Sequence, residues 1–153
     1  TVAAINMDGL SNFGRTRDME IVGFGKSEMD DLITQAIQAQ GRRVAPDSSP
    51  EAGYFYRSDH LHFAQLGIPV LYTSNGVDMV EGGVERGNAI NAAYVANNYH
   101  KPSDEVTSDW DMSGATEDLE ALYAVGRQLA DGNAWPAWRT NAEFRAAREA
   151  SGR

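Results

Sequence analysis

A chain of 153 residues, 42% hydrophobic and 23% charged, has enough apolar surface to bury a real core in one folded domain. Its net charge of −9 and pI near 4.7 argue against nucleic acid as a partner, because nucleic acid selects for a basic face. The chain has no cysteine, which excludes disulfides and thiolate metal sites, and no apolar run reaches the roughly 18 residues that span a bilayer.

The chain opens on Thr1-Val2-Ala3-Ala4-Ile5, with neither the basic stretch nor the apolar core of a signal peptide. Val2 to Met7 is an apolar run stopped by Asp8-Gly9, the pattern of a buried strand that is apolar on both faces and sits in the middle of a sheet. A chain that starts inside a strand is expected to be a processed product or a piece of a longer polypeptide. Met19 to Phe24 predicts a second strand. Ser27 then caps a helix whose first turn holds Glu28, Asp30 and Asp31, where the helix dipole favours acids. Met29, Leu32, Ile33, Ala36 and Ile37 form its apolar face, and Gly41 ends it.

A short helix follows Ser58 and stops at Gly67-Ile68-Pro69, and Val70-Leu71-Tyr72 predicts a third strand. Gly76 to Asn88 holds four glycines and several acids; it reads as a connector, with a mobile loop near a substrate mouth as the alternative. The spacing predicts another helix over Ser113 to Ala130, with Leu119, Leu122, Tyr123, Gly126 and Leu129 inward. Trp135-Pro136-Ala137-Trp138 is expected to seal the core ahead of a short amphipathic helix, capped by Asn141 with Phe144 inward. Strands separated by amphipathic helices predict an α/β layered sheet, and no internal repeat or domain linker interrupts it.

The candidate chemistry lies in three places. Asp8 sits where an apolar strand ends, the edge of an α/β sheet where ligands collect, and Gly9 lets the chain turn behind it. A carboxylate there either takes a metal or caps a turn. The chain has three histidines, His60, His62 and His100. His100 lies in Asn98-Tyr99-His100-Lys101-Pro102-Ser103-Asp104, a loop pinned by proline; from these residues alone it reads by default as a surface histidine, the alternative being a zinc ligand whose tautomer Asp104 could fix. In Arg57-Ser58-Asp59-His60-Leu61-His62 a helix would set His60 and His62 about 200° apart, so packing and supporting roles are favoured over shared ligation. Asp59 and His62, three apart, could face each other.

Together, Asn6-Met7-Asp8, Tyr56-Arg57-Ser58-Asp59-His60 through Gly67-Ile68-Pro69, and Tyr99-His100-Lys101-Pro102-Ser103-Asp104 resemble, in order and spacing, the latter half of the zinc metallopeptidases of family M28. The resemblance runs from about Val2 to Val106. It looks most like the bacterial secreted aminopeptidases related to glutamate carboxypeptidase and the transferrin receptor ectodomain.

That resemblance implies a three-layer α/β/α sandwich with a mixed sheet, residues 1–153 being the C-terminal part of one peptidase catalytic domain. It implies two zinc ions, Asp8 on one and His100 on the other, with Tyr99 hydrogen-bonding the tetrahedral intermediate. Asp59, Tyr56 and Asp104 would support the ligands or touch substrate. The family also uses a His-x-Asp and a Glu-Glu pair, and neither occurs in this chain. The expectation is therefore a fragment of an aminopeptidase acting on peptides, secreted or periplasmic. Alone it would bind zinc weakly or not at all, show no activity, and associate with its own N-terminal half or with itself. The alternatives are a non-catalytic interaction module, a carboxypeptidase, or glutaminyl cyclase chemistry with one zinc.

Overall fold

A computed structural model describes residues 1–151. Its centre is a four-stranded sheet in the order β1-β4-β2-β3, formed by β1 (Ala4–Met7), β2 (Asp18–Ile21), β3 (Arg43–Pro46) and β4 (Val70–Asn75). β1 runs parallel to β4, with Ala4 opposite Val70 and Met7 opposite Thr73. β2 runs parallel to β3 and antiparallel to β4, so the sheet is mixed, as expected.

Alternation along the strands sorts side chains onto two faces. Met19, Ile21 and Leu71 pack against Met29, Ile33 and Ile37 of α1 (Met29–Ala39) and Ala121, Leu122 and Val125 of α4 (Ser113–Asp131). Val70 and, just past β2, Val22 point the other way and join Phe55, Ala64 of α2 (His60–Gln65) and Trp138. Phe144, at the N-terminus of α5 (Arg145–Ala150), packs on the same cluster. Helices therefore cover both faces of the sheet. Each fully buried Ile or Leu contributes roughly 1.5–3 kcal/mol.

Local chemistry explains the boundaries. Ser27 Oγ accepts the Met29 N–H at 3.2 Å, and Gly41, at φ 73°, ends the turn after α1. The second strand stops at Ile21 rather than Phe24, because Gly23 and Gly25 take positive φ and swing Phe24 outward to 47% exposure. The connector reading of Gly76 to Asn88 holds only to Gly82: α3 (Gly83–Asn97) begins inside it. Gly87 lies so close to the Val77 carbonyl that a side chain there would collide with it, so the glycine lets α3 pack on the connector that precedes it.

The inner face of α4 is also rotated from expectation. Leu122 is buried and Leu129 packs against the core, but Leu119 and Tyr123 are exposed. Their place is taken by Ala115, Asp118, Ala121 and Val125. Asp118 lies 2.7 Å from buried Arg42 and is the reason the apolar pattern pointed the wrong way. Trp138 seals the second cluster and donates its indole N–H to the Gly67 carbonyl at 2.9 Å, whereas Trp135 is half exposed. The last helix begins at Arg145, after Phe144, rather than at Asn141. β1, read as a mid-sheet strand, stands at an edge here, paired with β4 and only partly buried. Among the described residues no helix is long and apolar enough to cross a membrane.

Candidate functional site

Asp8 follows β1 directly, on the side of the sheet that α2 covers. Asn6 and Asp8 are two residues apart and so project the same way, and Tyr72 is the register partner of Asn6 on the neighbouring strand. The turn before α2 brings Ser58 to the same point. The Asp8 carboxylate, though exposed, accepts from all three: Oδ1 from Asn6 Nδ2 at 2.8 Å and Ser58 Oγ at 2.9 Å, Oδ2 from Ser58 Oγ at 2.7 Å and the Tyr72 hydroxyl at 2.8 Å. Desolvation alone would raise its pKa; the hydrogen bonds from Ser58, Tyr72 and Asn6, with His60 nearby, hold it below the usual carboxylate value. It is ionised at neutral pH.

Behind Tyr72 lies His60, 2% exposed, with ring centroids 4.7 Å from both Phe55 and Tyr72. Neither ring nitrogen completes a hydrogen bond of good geometry, although the Phe55 carbonyl is close enough to act on it. Burial lowers the His60 pKa, so the ring stays neutral at pH 7. His62, two residues on, is exposed, so α2 separates the two imidazoles as its geometry requires.

Tyr99 and Tyr54 lie within electrostatic range of the Tyr72 hydroxyl; burial first, then the bond to Asp8, and then these two phenols raise the Tyr72 pKa. His100 stacks on Tyr99 with centroids 3.9 Å apart and planes at 21°. Its φ of 58° is the only positive value outside glycine among the described residues, an arrangement that costs on the order of 1–3 kcal/mol and persists where the surroundings fix it. The Lys101 N–H to the Asn98 carbonyl and the Tyr99 N–H to the Tyr94 carbonyl, at 2.9 and 3.0 Å, close this turn.

The other candidates turn to different partners. Asp104 accepts from the Tyr94 hydroxyl at 2.8 Å rather than bonding His100, and lines a cavity of about 220 Å³ with Tyr94, Phe13 and Trp110. The Tyr56 hydroxyl donates to Glu143 at 2.8 Å and accepts from Lys26 at 3.1 Å. Asp59 precedes α2, exposed, and neither caps the helix nor bonds His62. Tyr72 escaped sequence reasoning, as did Ser58 and Asn6 in their bonds to Asp8; the signal was a polar-tipped residue in the apolar run Val70-Leu71-Tyr72, visible only once the register is known.

The donor set suits zinc in kind: an oriented carboxylate and an imidazole held on a fixed turn. It supplies only part of a complete coordination sphere, and among the described residues no group of three or more His, Asp or Glu stands together to hold an ion. The model for peptidase family M28 matches residues 1–124. No curated protein and no solved structure matches the chain.

Proposed function

The chain belongs to peptidase family M28, and we propose that it contributes one side of a two-zinc exopeptidase site that removes N-terminal residues from peptides. The observation that carries this reading is the Asp8 carboxylate, ionised and held by three donors at the C-terminal end of β1. In this reading Asp8 holds one ion and His100 the other. The chemistry such ions supply when bound is Lewis-acid activation of a water and of the scissile carbonyl. The Tyr99 hydroxyl donates toward the oxygen that gains charge as the tetrahedral intermediate forms. The general base and the remaining ligands come from polypeptide outside residues 1–153, and the unpaired edge of β1 is the surface on which that polypeptide, or a second copy, adds. In this proposal the protein acts outside the cytoplasm, secreted or periplasmic, a reading supported only by the resemblance of its motifs to those of secreted aminopeptidases. A non-catalytic module of the same fold would have no use for an oriented carboxylate at Asp8 or for a histidine held at positive φ.

Metal analysis tests the reading. In a polypeptide carrying the complete ligand set, Asp8→Ala and His100→Ala should each lose close to one zinc per chain. Two variants that both keep two zincs would remove these residues from the site.

A further inference from the structure

We propose that Tyr72 is a positioning residue for Asp8: its hydroxyl, braced by His60 and Phe55, fixes the plane of the carboxylate in one orientation. An exposed aspartate ordinarily samples several rotamers. Here the donors are accounted for one by one. Asn6 divides its two amide hydrogens between Asp8 Oδ1 and Ser58 Oγ, at 2.8 and 3.0 Å. Ser58 has one proton, which both carboxylate oxygens share at 2.9 and 2.7 Å. Tyr72 gives an undivided bond to Oδ2 at 2.8 Å, and it alone reaches the carboxylate from the neighbouring strand, whereas Asn6 lies on the same strand two residues before Asp8. Of the roughly four lone-pair positions on the carboxylate, the donors take about three and leave one side open.

The brace is equally specific. Tyr72 is held in the parallel ladder opposite Asn6, so its ring leaves the sheet beside the group it must reach. His60 fills the space behind that ring at 4.7 Å, and Phe55 closes on His60 edge-on at the same distance. The buried imidazole, with no good hydrogen bond of its own, behaves as a flat wall that stops the phenol from swinging away.

The orientation itself is a property of this chain; its consequence for metal rests on Asp8 being a ligand, as proposed above. The first test is structural. In the 153-residue chain, three-bond Hα–Hβ couplings of Asp8 should report a single χ1 rotamer, and Tyr72→Phe, which keeps the ring, should average them without shifting Tm. Ser58→Ala and Asn6→Ala probe the same lock should Tyr72→Phe not fold. Couplings already averaged in the parent chain, or unchanged when the donors are removed, overturn the proposal whatever Asp8 binds.

The second test uses the complete peptidase. Tyr72→Phe should weaken zinc affinity by roughly 10- to 100-fold, with kcat recovered at saturating zinc. An unchanged affinity with a disordered Asp8 overturns the positioning role, while Asp8→Ala decides separately whether Asp8 is a ligand at all.

Discussion

Asp118→Ala should destabilise this chain more than any loss of apolar area at that position explains. The Arg42 and Asp118 side chains are 4% and 6% exposed and meet at 2.7 Å. Removing the carboxylate leaves a guanidinium buried among neutral acceptors only: the Thr16 carbonyl at 2.9 Å, the Thr16 hydroxyl at 3.0 Å, the Asp18 carbonyl at 2.9 Å and Gln40 at 3.2 Å. Breaking a buried pair from one side costs about 3–5 kcal/mol, and these acceptors set the value near the lower end, about 3 kcal/mol. At about 2–4 °C per kcal/mol for a chain of this size, Tm should fall by about 6–12 °C. Burial and the nearby Glu117 and Asp18 carboxylates raise the Asp118 pKa against the pull of Arg42, and a buried pair replaced whole by apolar side chains of similar volume is often neutral. The double variant Arg42→Met, Asp118→Leu should therefore lie within about 1 kcal/mol of the parent. Thermal unfolding followed by circular dichroism decides the matter. A single variant that loses less than about 2 °C, or a double variant no better than the single, would refute the reasoning.

Gly67→Ala should cost roughly 1–2 kcal/mol for a left-handed backbone plus about 1–3 kcal/mol for overpacking, because φ is 79° and the new Cβ would meet the backbone of Ala147 and Arg148. Urea unfolding read by Trp138 fluorescence measures it, and a loss under about 1 kcal/mol contradicts the close approach. Folded His60 has a lowered pKa, so the unfolded chain takes up the proton first; its contribution to stability is complete above about pH 6.5 and is lost as pH falls below. The parent should lose Tm relative to His60→Leu between about pH 7.5 and about pH 5.5, and a flat difference would mean the ring is not buried neutral. In the complete peptidase, Tyr99→Phe should lower kcat roughly ten- to a thousand-fold while changing KM less, and an unchanged kcat removes that hydroxyl from the chemistry.

The elements that sequence revealed are those whose apolar spacing matches one period and whose ends carry punctuation. α1 shows both, with Ser27 before it and Gly41 after. β3 was invisible because it opens on Arg43 and closes on Pro46, which an edge strand tolerates and an apolar scan ignores. α3 was hidden by Gly83 and Gly87, poor helix formers whose value lies in close approach. Asp8 was legible because a strand end followed by glycine is a local pattern. Its donors were not, since Ser58 and Tyr72 lie 50 and 64 residues away and only the sheet register brings them together. Asp104, four residues from His100, showed the opposite failure: nearness in sequence suggested a bond that its loop instead gives to Tyr94.

The parallel ladder between β1 and β4 also decides where the chain can change length. Met7 is locked opposite Thr73, and Asp8 is the next residue. One amino acid inserted between Ala4 and Asp8 would exchange the two faces of everything beyond it, delivering the carboxylate into the oil of α1 and α4 and a methionine or isoleucine to Tyr72. Two inserted residues would restore the face but overshoot Ser58 by about 7 Å. The stretch from Gly76 to Gly82 lies outside the four strands but is tied to residues 15–17 through the Thr16–Met79 bridge and the Arg17 and Val80 amide bonds, so it too tolerates little change, and the spacing from Ala4 to Asp8 should be kept to the residue.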